Sequence, residues 1–118
     1  MTIFQKIINR ELPANIVYED DRVIAILDIS PATTGHTLVI PKTFSRNLKD
    51  IAKDDLSYIM SKAQDIALKL IEVLEVDGFQ LHVNNEKSSN QVVFHTHVHI
   101  IPTQTGKEIK KEDIKISL

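Results

Sequence analysis

The sequence predicts one α+β domain: a five-stranded, mostly antiparallel sheet, one long helix and a short N-terminal helix. Three observations carry this. Strand-like segments fall in two groups around one long helical segment, instead of alternating with helices as parallel units would. The long segment carries an unbroken apolar stripe of period near 3.6. The 118 residues are 42% apolar and 25% charged, which fits one globular domain with one core.

The elements follow in order. Ile3, Phe4, Ile7 and Ile8 recur at helical spacing and predict an amphipathic helix over residues 2–10. Leu12-Pro13-Ala14-Asn15 ends it. Residues 16–19 form a first strand, Asp20-Asp21 a turn, and residues 22–28 a second strand. Ser30-Pro31-Ala32-Thr33-Thr34-Gly35 is a loop, and residues 36–40 are a third strand closed by Pro41. Over residues 54–75, Leu56, Ile59, Met60, Ala63, Ile66, Ala67, Leu70, Ile71 and Leu74 trace the stripe of the long helix. Asp54 and Asp55 suit its positive dipole end, and Asp77-Gly78 ends it. Residues 79–84 are a fourth strand, 85–90 a polar loop, and 91–101 a fifth strand stopped by Pro102. The tail, 103–118, mixes charges with Ile109, Ile114, Ile116 and Leu118, and its last five residues alternate like a strand end.

Composition excludes several classes. Fourteen basic against sixteen acidic residues give a net charge of −2, so no broad basic surface is available for nucleic acid. The absence of cysteine removes disulfides, thiol nucleophiles and Cys-ligated metal sites. No apolar run approaches the ~20 residues of a membrane span. The N-terminus lacks a signal peptide's apolar centre and cleavage site. The expectation is a soluble cytoplasmic protein without a membrane partner.

The informative segment is Val92-Val93-Phe94-His95-Thr96-His97-Val98-His99-Ile100-Ile101-Pro102, with three of the five histidines at alternate positions. In a strand, such residues share one face, with Cα atoms about 6.5–7 Å apart. Thr96, Val98 and Ile100 then face the long helix. A merely polar outer face would be served as well by Lys, Thr or Glu. Imidazole is the side chain that titrates near neutrality and can be nucleophile, acid, base or ligand. The other strands fit the same picture. His36 shares a side with Leu38 and Ile40, Asp28 with Ile24 and Ile26, and Gln80 with His82 and Asn84. A sheet with its helix on one side and a polar cleft on the other accounts for these patterns together.

Two chemistries use clustered imidazoles. His95, His97, His99 and His36 could hold a zinc ion with an open position for water. Alternatively, one imidazole attacks phosphorus while its neighbours manage protons and charge. A metal-bound His usually leans on a carboxylate or carbonyl, and no Asp or Glu lies between Lys87 and Glu108. The residues alone leave metal and nucleophile open.

The run His95-Thr96-His97-Val98-His99-Ile100-Ile101 resembles the histidine-triad (HIT) signature, in which three histidines alternate with apolar residues; Thr96 departs at the first apolar position. Further blocks resemble the family in order: Ile3-Phe4-Gln5-Lys6-Ile7-Ile8, Tyr18-Glu19-Asp20, Leu27-Asp28-Ile29-Ser30-Pro31, Gly35-His36-Thr37-Leu38-Val39-Ile40-Pro41-Lys42 and Val83-Asn84-Asn85. The chain looks most like the Hint (protein kinase C inhibitor-like) branch of nucleoside phosphoramidate hydrolases. The transferase branch has Gln where His99 stands.

The resemblance implies a HIT-like fold over residues 1–102, followed by a tail at 103–118 that packs on a dimer or near the site. It implies a homodimer whose sheets join into one through the long helix and fourth strand, with Phe79 and His82 near the seam. His97 would be the nucleophile on the α-phosphorus of an AMP or GMP adduct such as a phosphoramidate or AMP-lysine. His99 would assist the leaving group, and His95 and His36 would orient and polarise the row. Asp28 would hold the ribose hydroxyls. Ile3, Phe4, Ile7, Ile26, Ile29 and Leu38 would enclose the purine. Asn84, Gln91 and the Val92 amide would meet phosphate oxygens. No cofactor and no catalytic metal are implied.

The sequence departs from the family at several points. Asn90-Gln91-Val92 stands where Gly-Gln-Ser/Thr is usual, so the hydroxyl at Val92 is missing. Thr2, Gln5 and Phe44 stand where some bacterial members carry structural zinc ligands. The alternatives are a diadenosine polyphosphate hydrolase, or a nucleotide-binding regulatory module with weak turnover.

Overall fold

A computed structural model describes residues 1–106, 114 and 116–118. Helix α1 (Ile3–Ile8) precedes β1 (Ile16–Glu19), β2 (Val23–Leu27) and β3 (Thr37–Pro41). Then come α2 (Lys53–Leu74), β4 (Gly78–His82), a 3-10 turn at Lys87–Ser89, and β5 (Val98–Thr103). The strands form one sheet in the order β1-β2-β3-β5-β4, and every pairing is antiparallel. The last strand therefore enters between two earlier ones.

Local chemistry explains the boundaries. Thr2 and Gln5 form a reciprocal capping box that starts α1, the helix whose Phe4 and Ile7 are buried. Asp20 fixes the β1–β2 turn by accepting the amides of Arg22 and Val23 at 2.8 and 2.9 Å. Its other oxygen accepts the hydroxyls of Tyr18 (2.8 Å) and, from α2, Tyr58 (2.6 Å). Arg22 reaches Asp55 at 2.9 Å, so the first turn of α2 is tied to β2 by charge as well as packing.

The sheet has an apolar layer on each face. On one, Ile59, Ala63, Ile66, Ala67 and Leu70 of α2 are fully buried against Val23, Ala25, Val39, Val98 and Ile100. On the other, Phe4 and Ile7 of α1 meet Ile24, Ile26, Leu38 and Ile40. The alternation in β2 and β3 thus resolves as two apolar faces. The cleft face is covered at one end by the short N-terminal helix.

Several boundaries differ from the sequence reading. The fifth strand is Val98–Thr103, not 91–101. Residues 91–97 leave the ladder because their polar groups find other partners: Thr96 N–H donates to Ser45 O at 2.8 Å. Its hydroxyl lies 2.6 Å from that of Ser45, so Thr96 packs there. Pro102 does not stop the strand. It pairs with Phe79 of β4 beyond the last β3 partner, and its carbonyl accepts the Thr33 hydroxyl on the side where its missing N–H would point. The long helix ends at a left-handed Glu75 (φ 58°), and Gly78 instead opens β4, where a Cβ would lie 2.8 Å from Thr103 Oγ1. In the tail, Ile114 and Ile116 are buried in the α2 core, and the described residues of 114–118 form no strand. Ile109 and Lys115 lie outside the described residues.

Gly35 sets the entry into β3. Its φ is +86°, and a Cβ there would meet Leu74 Cδ1 at 2.7 Å and Pro102 Cγ at 3.3 Å. Gly35→Ala should destabilise the fold by roughly 1–2 kcal/mol from the backbone alone, read as a lower urea midpoint. An unchanged midpoint contradicts the assignment.

Candidate active site

The cleft on the α1 side of the sheet opens into a cavity of about 700 Å³. Ile3, Phe4 and Ile7 of α1, Ile26 of β2 and Leu38 of β3 form its apolar wall. Phe4, Ile7, Ile26 and Leu38 also belong to the second core layer, so they serve packing and the pocket at once. Asp28, Ile29 and Ser30 contribute the β2–β3 loop, and Asn84, Asn90, Val92 and Val93 the segment before the triad. His97 and His99 complete the lining.

Three expected site residues stand behind the wall. His95 is fully buried and His36 nearly so; both touch the lining histidines. Gln91 is buried, and its amide is wholly engaged. Its Nε2 donates to Arg46 O (2.7 Å) and Val93 O (3.1 Å), and its Oε1 accepts Asn47 Nδ2 (3.0 Å) and Glu86 N–H (2.8 Å). That is the full capacity of a carboxamide. The side chain of Gln91 therefore holds the loop instead of meeting a phosphate. Sequence reasoning missed Leu12, Pro13, Ala14, Leu27, Ser30, Asn90 and Val93 as lining residues. Leu12-Pro13-Ala14 read only as a helix stop, and nothing in its spacing signals that α1 folds back over the sheet.

Hydrogen-bond direction fixes the state of each imidazole. A carbonyl only accepts, so the 2.7 Å contact from His97 Nδ1 to His95 O puts the proton on Nδ1. His97 Nε2 then keeps its lone pair. His95 Nε2 likewise donates to Pro41 O at 2.8 Å, leaving Nδ1 to accept from the Thr2 hydroxyl at 3.4 Å. Ala32 N–H donates to His36 Nδ1 at 3.0 Å. The proton of His36 therefore sits on Nε2, which faces His99 Nδ1 at 2.9 Å. His99 accepts there and carries its own proton on Nε2. His97 and His99 present opposite functions, a lone pair and an N–H, with ring centroids 4.8 Å apart. Phe4 packs edgewise on His97 at 4.9 Å and Phe44 on His95 at 5.3 Å. His82 pairs with His99 across β4 and β5 and is exposed.

Asp28 has two tasks. One oxygen accepts Ser30 N–H at 2.9 Å and shapes the turn, and the other lies 3.6 Å from His36 Nε2. Asp28, His36 and His99 are also the one group of potential metal ligands found close together among the described residues. The donor set does not fit a metal. A neutral His36 ligating through Nε2 must carry its proton on Nδ1, where it would collide with the Ala32 N–H. Thr2 and Gln5 form the helix cap, and Phe44 packs on His95.

Burial pushes the imidazoles of His36, His95 and His97 below their ordinary value. His99 is pushed down to about 4, first by burial and then by the neighbouring His97, His36 and His82, with Asp28 opposing. These groups are neutral at pH 7. Depressed folded values make their stability contribution complete above the unfolded histidine value of roughly 6.5. It is lost as pH falls through the folded values, to about 4 for His99. The urea midpoint should fall between pH 6.5 and 4, and more shallowly in His99→Gln. Equal slopes in parent and variant would contradict this.

Comparison with known proteins agrees with the fold. The HIT domain model matches residues 9–106. A 13.1 kDa HIT-like protein of Mesomycoplasma hyorhinis, whose name calls it uncharacterized, is 56% identical over 100 residues, covering 85% of this chain and 90% of the relative. Adenylylsulfatase HINT3 of Arabidopsis thaliana is 40% identical over 100 residues, covering 85% of this chain and 51% of that protein. A hypothetical histidine triad nucleotide-binding protein of Sulfolobus tokodaii has a solved structure that superposes with a TM-score of 0.88 at 40% identity, covering 95% of this chain and 77% of that one. With the model spanning most of the chain and the fold shared, this protein belongs to the HIT domain family.

Proposed function

We propose that the protein hydrolyses nucleoside monophosphate adducts, phosphoramidates of AMP or GMP among them, through a nucleotidyl intermediate on His97. The observation that carries this reading is the His97 Nδ1 bond to His95 O, which leaves the Nε2 lone pair on a residue lining the cavity. The Nε2 electron pair forms a bond to phosphorus as the bond to the leaving group breaks, and that electron pair departs with the leaving atom. As that bond breaks the leaving atom takes a proton through His99 Nε2–H, so an amine departs neutral, while the His36 N–H supports His99 Nδ1. Water then opens the N–P bond; its oxygen goes to phosphorus, one of its protons restores the His99 N–H and the other stays with the nucleotide. The apolar wall suits a purine. The remaining lone pairs of Asp28 suit two ribose hydroxyls. The relative named as an adenylylsulfatase supports hydrolysis at an adenylyl phosphorus.

Charge favours this reading over dinucleoside polyphosphates. Among the described residues no Lys or Arg lines the cavity, and the Asp28 carboxylate is the one formal charge in its lining. A single phosphoryl group is easier to hold there than a polyphosphate chain.

We also propose a homodimer joined through β4 and α2. β4 is an edge strand, and Met60 and Leu68 stand exposed on α2. Such edges are templates for pairing, and a stable seam buries well over about 1,000 Å². Light scattering at micromolar concentration should give twice the chain's 13.4 kDa; a particle of single-chain mass refutes the pairing.

His97→Ala should lower turnover of an AMP phosphoramidate by at least ~10³-fold while AMP binding persists. Rapid quench with radiolabelled donor should place the adenylyl group on His97. His99→Ala should cost ~10²–10⁴-fold with a basic amine leaving group and much less with a good one. Label on another residue, or full turnover in His97→Ala, overturns the mechanism.

A further inference from the structure

Behind the cavity wall, two loop segments are clamped together by residues that do not line the cavity. Gln91 joins them through the four bonds described above. Asn47, 1% exposed, donates from one amide nitrogen to both Glu86 Oε2 (2.7 Å) and Gln91 Oε1 (3.0 Å). Its Oδ1 accepts Lys49 N–H at 2.9 Å. The Glu86 carboxylate receives Arg46 Nε and a terminal nitrogen, the latter at 2.9 Å, while the Arg46 guanidinium lies 4.2 Å over the Phe94 ring. Glu86 O accepts the amides of Ser89 (3.0 Å) and Gln91 (3.1 Å).

The backbone at Glu86 shows why a clamp is needed. Its φ of 80° and ψ of 162° fall in a region that glycine occupies and side-chain-bearing residues avoid. Asn90 is also left-handed, at φ 68°. This segment would relax without external hold, and it carries Asn84, Asn90 and Val92 to the cavity. It leads directly into His95 and His97. The Asn84 amide is itself tied to Ser89 O at 2.9 Å.

We infer that Asn47, Glu86 and Gln91 are positioning residues that hold segment 84–93 against segment 45–50 in a strained shape, fixing the cavity wall that adjoins His97. The kinetic half of this inference rests on the hydrolase reading; the structural half does not. The base slot is built chiefly by α1, β2 and β3, with Val93 of the clamped segment packed against it.

Glu86→Gln and Glu86→Gly test it. Glu86→Gly removes the backbone strain together with the anchor, so a turn that only needs a positive φ would keep or gain stability and keep its activity. The clamp requires a different outcome. Amide exchange over 84–93 should rise at least about tenfold in both variants, with β2 and β3 unchanged. kcat for the AMP phosphoramidate should fall roughly 10- to 100-fold, while adenosine affinity stays within about twofold and the melting temperature of Glu86→Gly does not fall. Unchanged exchange, or faster exchange with kcat within about twofold of the parent, overturns the inference. A parent that turns over no nucleotide adduct refutes the hydrolase reading, and the exchange result then decides the clamp alone.

Discussion

The site depends on β5 entering the sheet between β3 and β4. Pairing Leu38 with His99 and Thr37 with Ile100 brings the start of β3 against the triad. Only this register places His36 Nε2 at 2.9 Å from His99 Nδ1. The same insertion puts Val98 and Ile100 under α2, so the packing that stabilises the sheet also sets the imidazoles. A slip of one residue would turn His99 into the α2 core and Val98 or Ile100 into the cleft.

Within that frame, protons are placed by acceptors that cannot change role. The carbonyls of His95 and Pro41 and the amide of Ala32 each permit one direction of hydrogen bonding. The consequence is a neutral row in which His97 offers a lone pair and His99 an N–H. An extra proton between His36 and His99 would set two N–H groups against each other. This agrees with the low value of His99 and with the poor fit of a metal to the Asp28, His36 and His99 donors.

The apolar and polar halves of the cleft are held by different forces. The slot formed by Phe4, Ile7, Ile26 and Leu38 is a continuation of a core layer and is fixed by close packing. The segment with Asn84, Asn90 and Val92 has little apolar burial of its own; Val92 is 84% exposed. Buried carboxamides and a strained Glu86 hold it instead.

The sequence by itself determined the elements whose periodicity is strong. The α2 stripe, the short strands of β1 to β3 and the alternation of His97, Val98, His99 and Ile100 are local patterns, and backbone geometry turns them directly into faces. Periodicity put Ile3, Phe4, Ile7, Ile26 and Leu38 on apolar faces, but their place in the cavity wall was an expectation from the family resemblance alone. Tertiary structure decided whatever depends on a partner far along the chain. The row of alternating histidines read as one continuous strand, yet residues 91–97 leave the ladder because Ser45, Arg46 and Asn47 take up their hydrogen bonds. Gln91 read as a phosphate donor, but its four partners include Arg46 and Asn47, more than forty residues away in the chain. Ile114 and Ile116 had no assigned place until the α2 core received them. Each imidazole's proton follows from which carbonyl or amide the fold sets beside it, and spacing along a sequence does not carry that information.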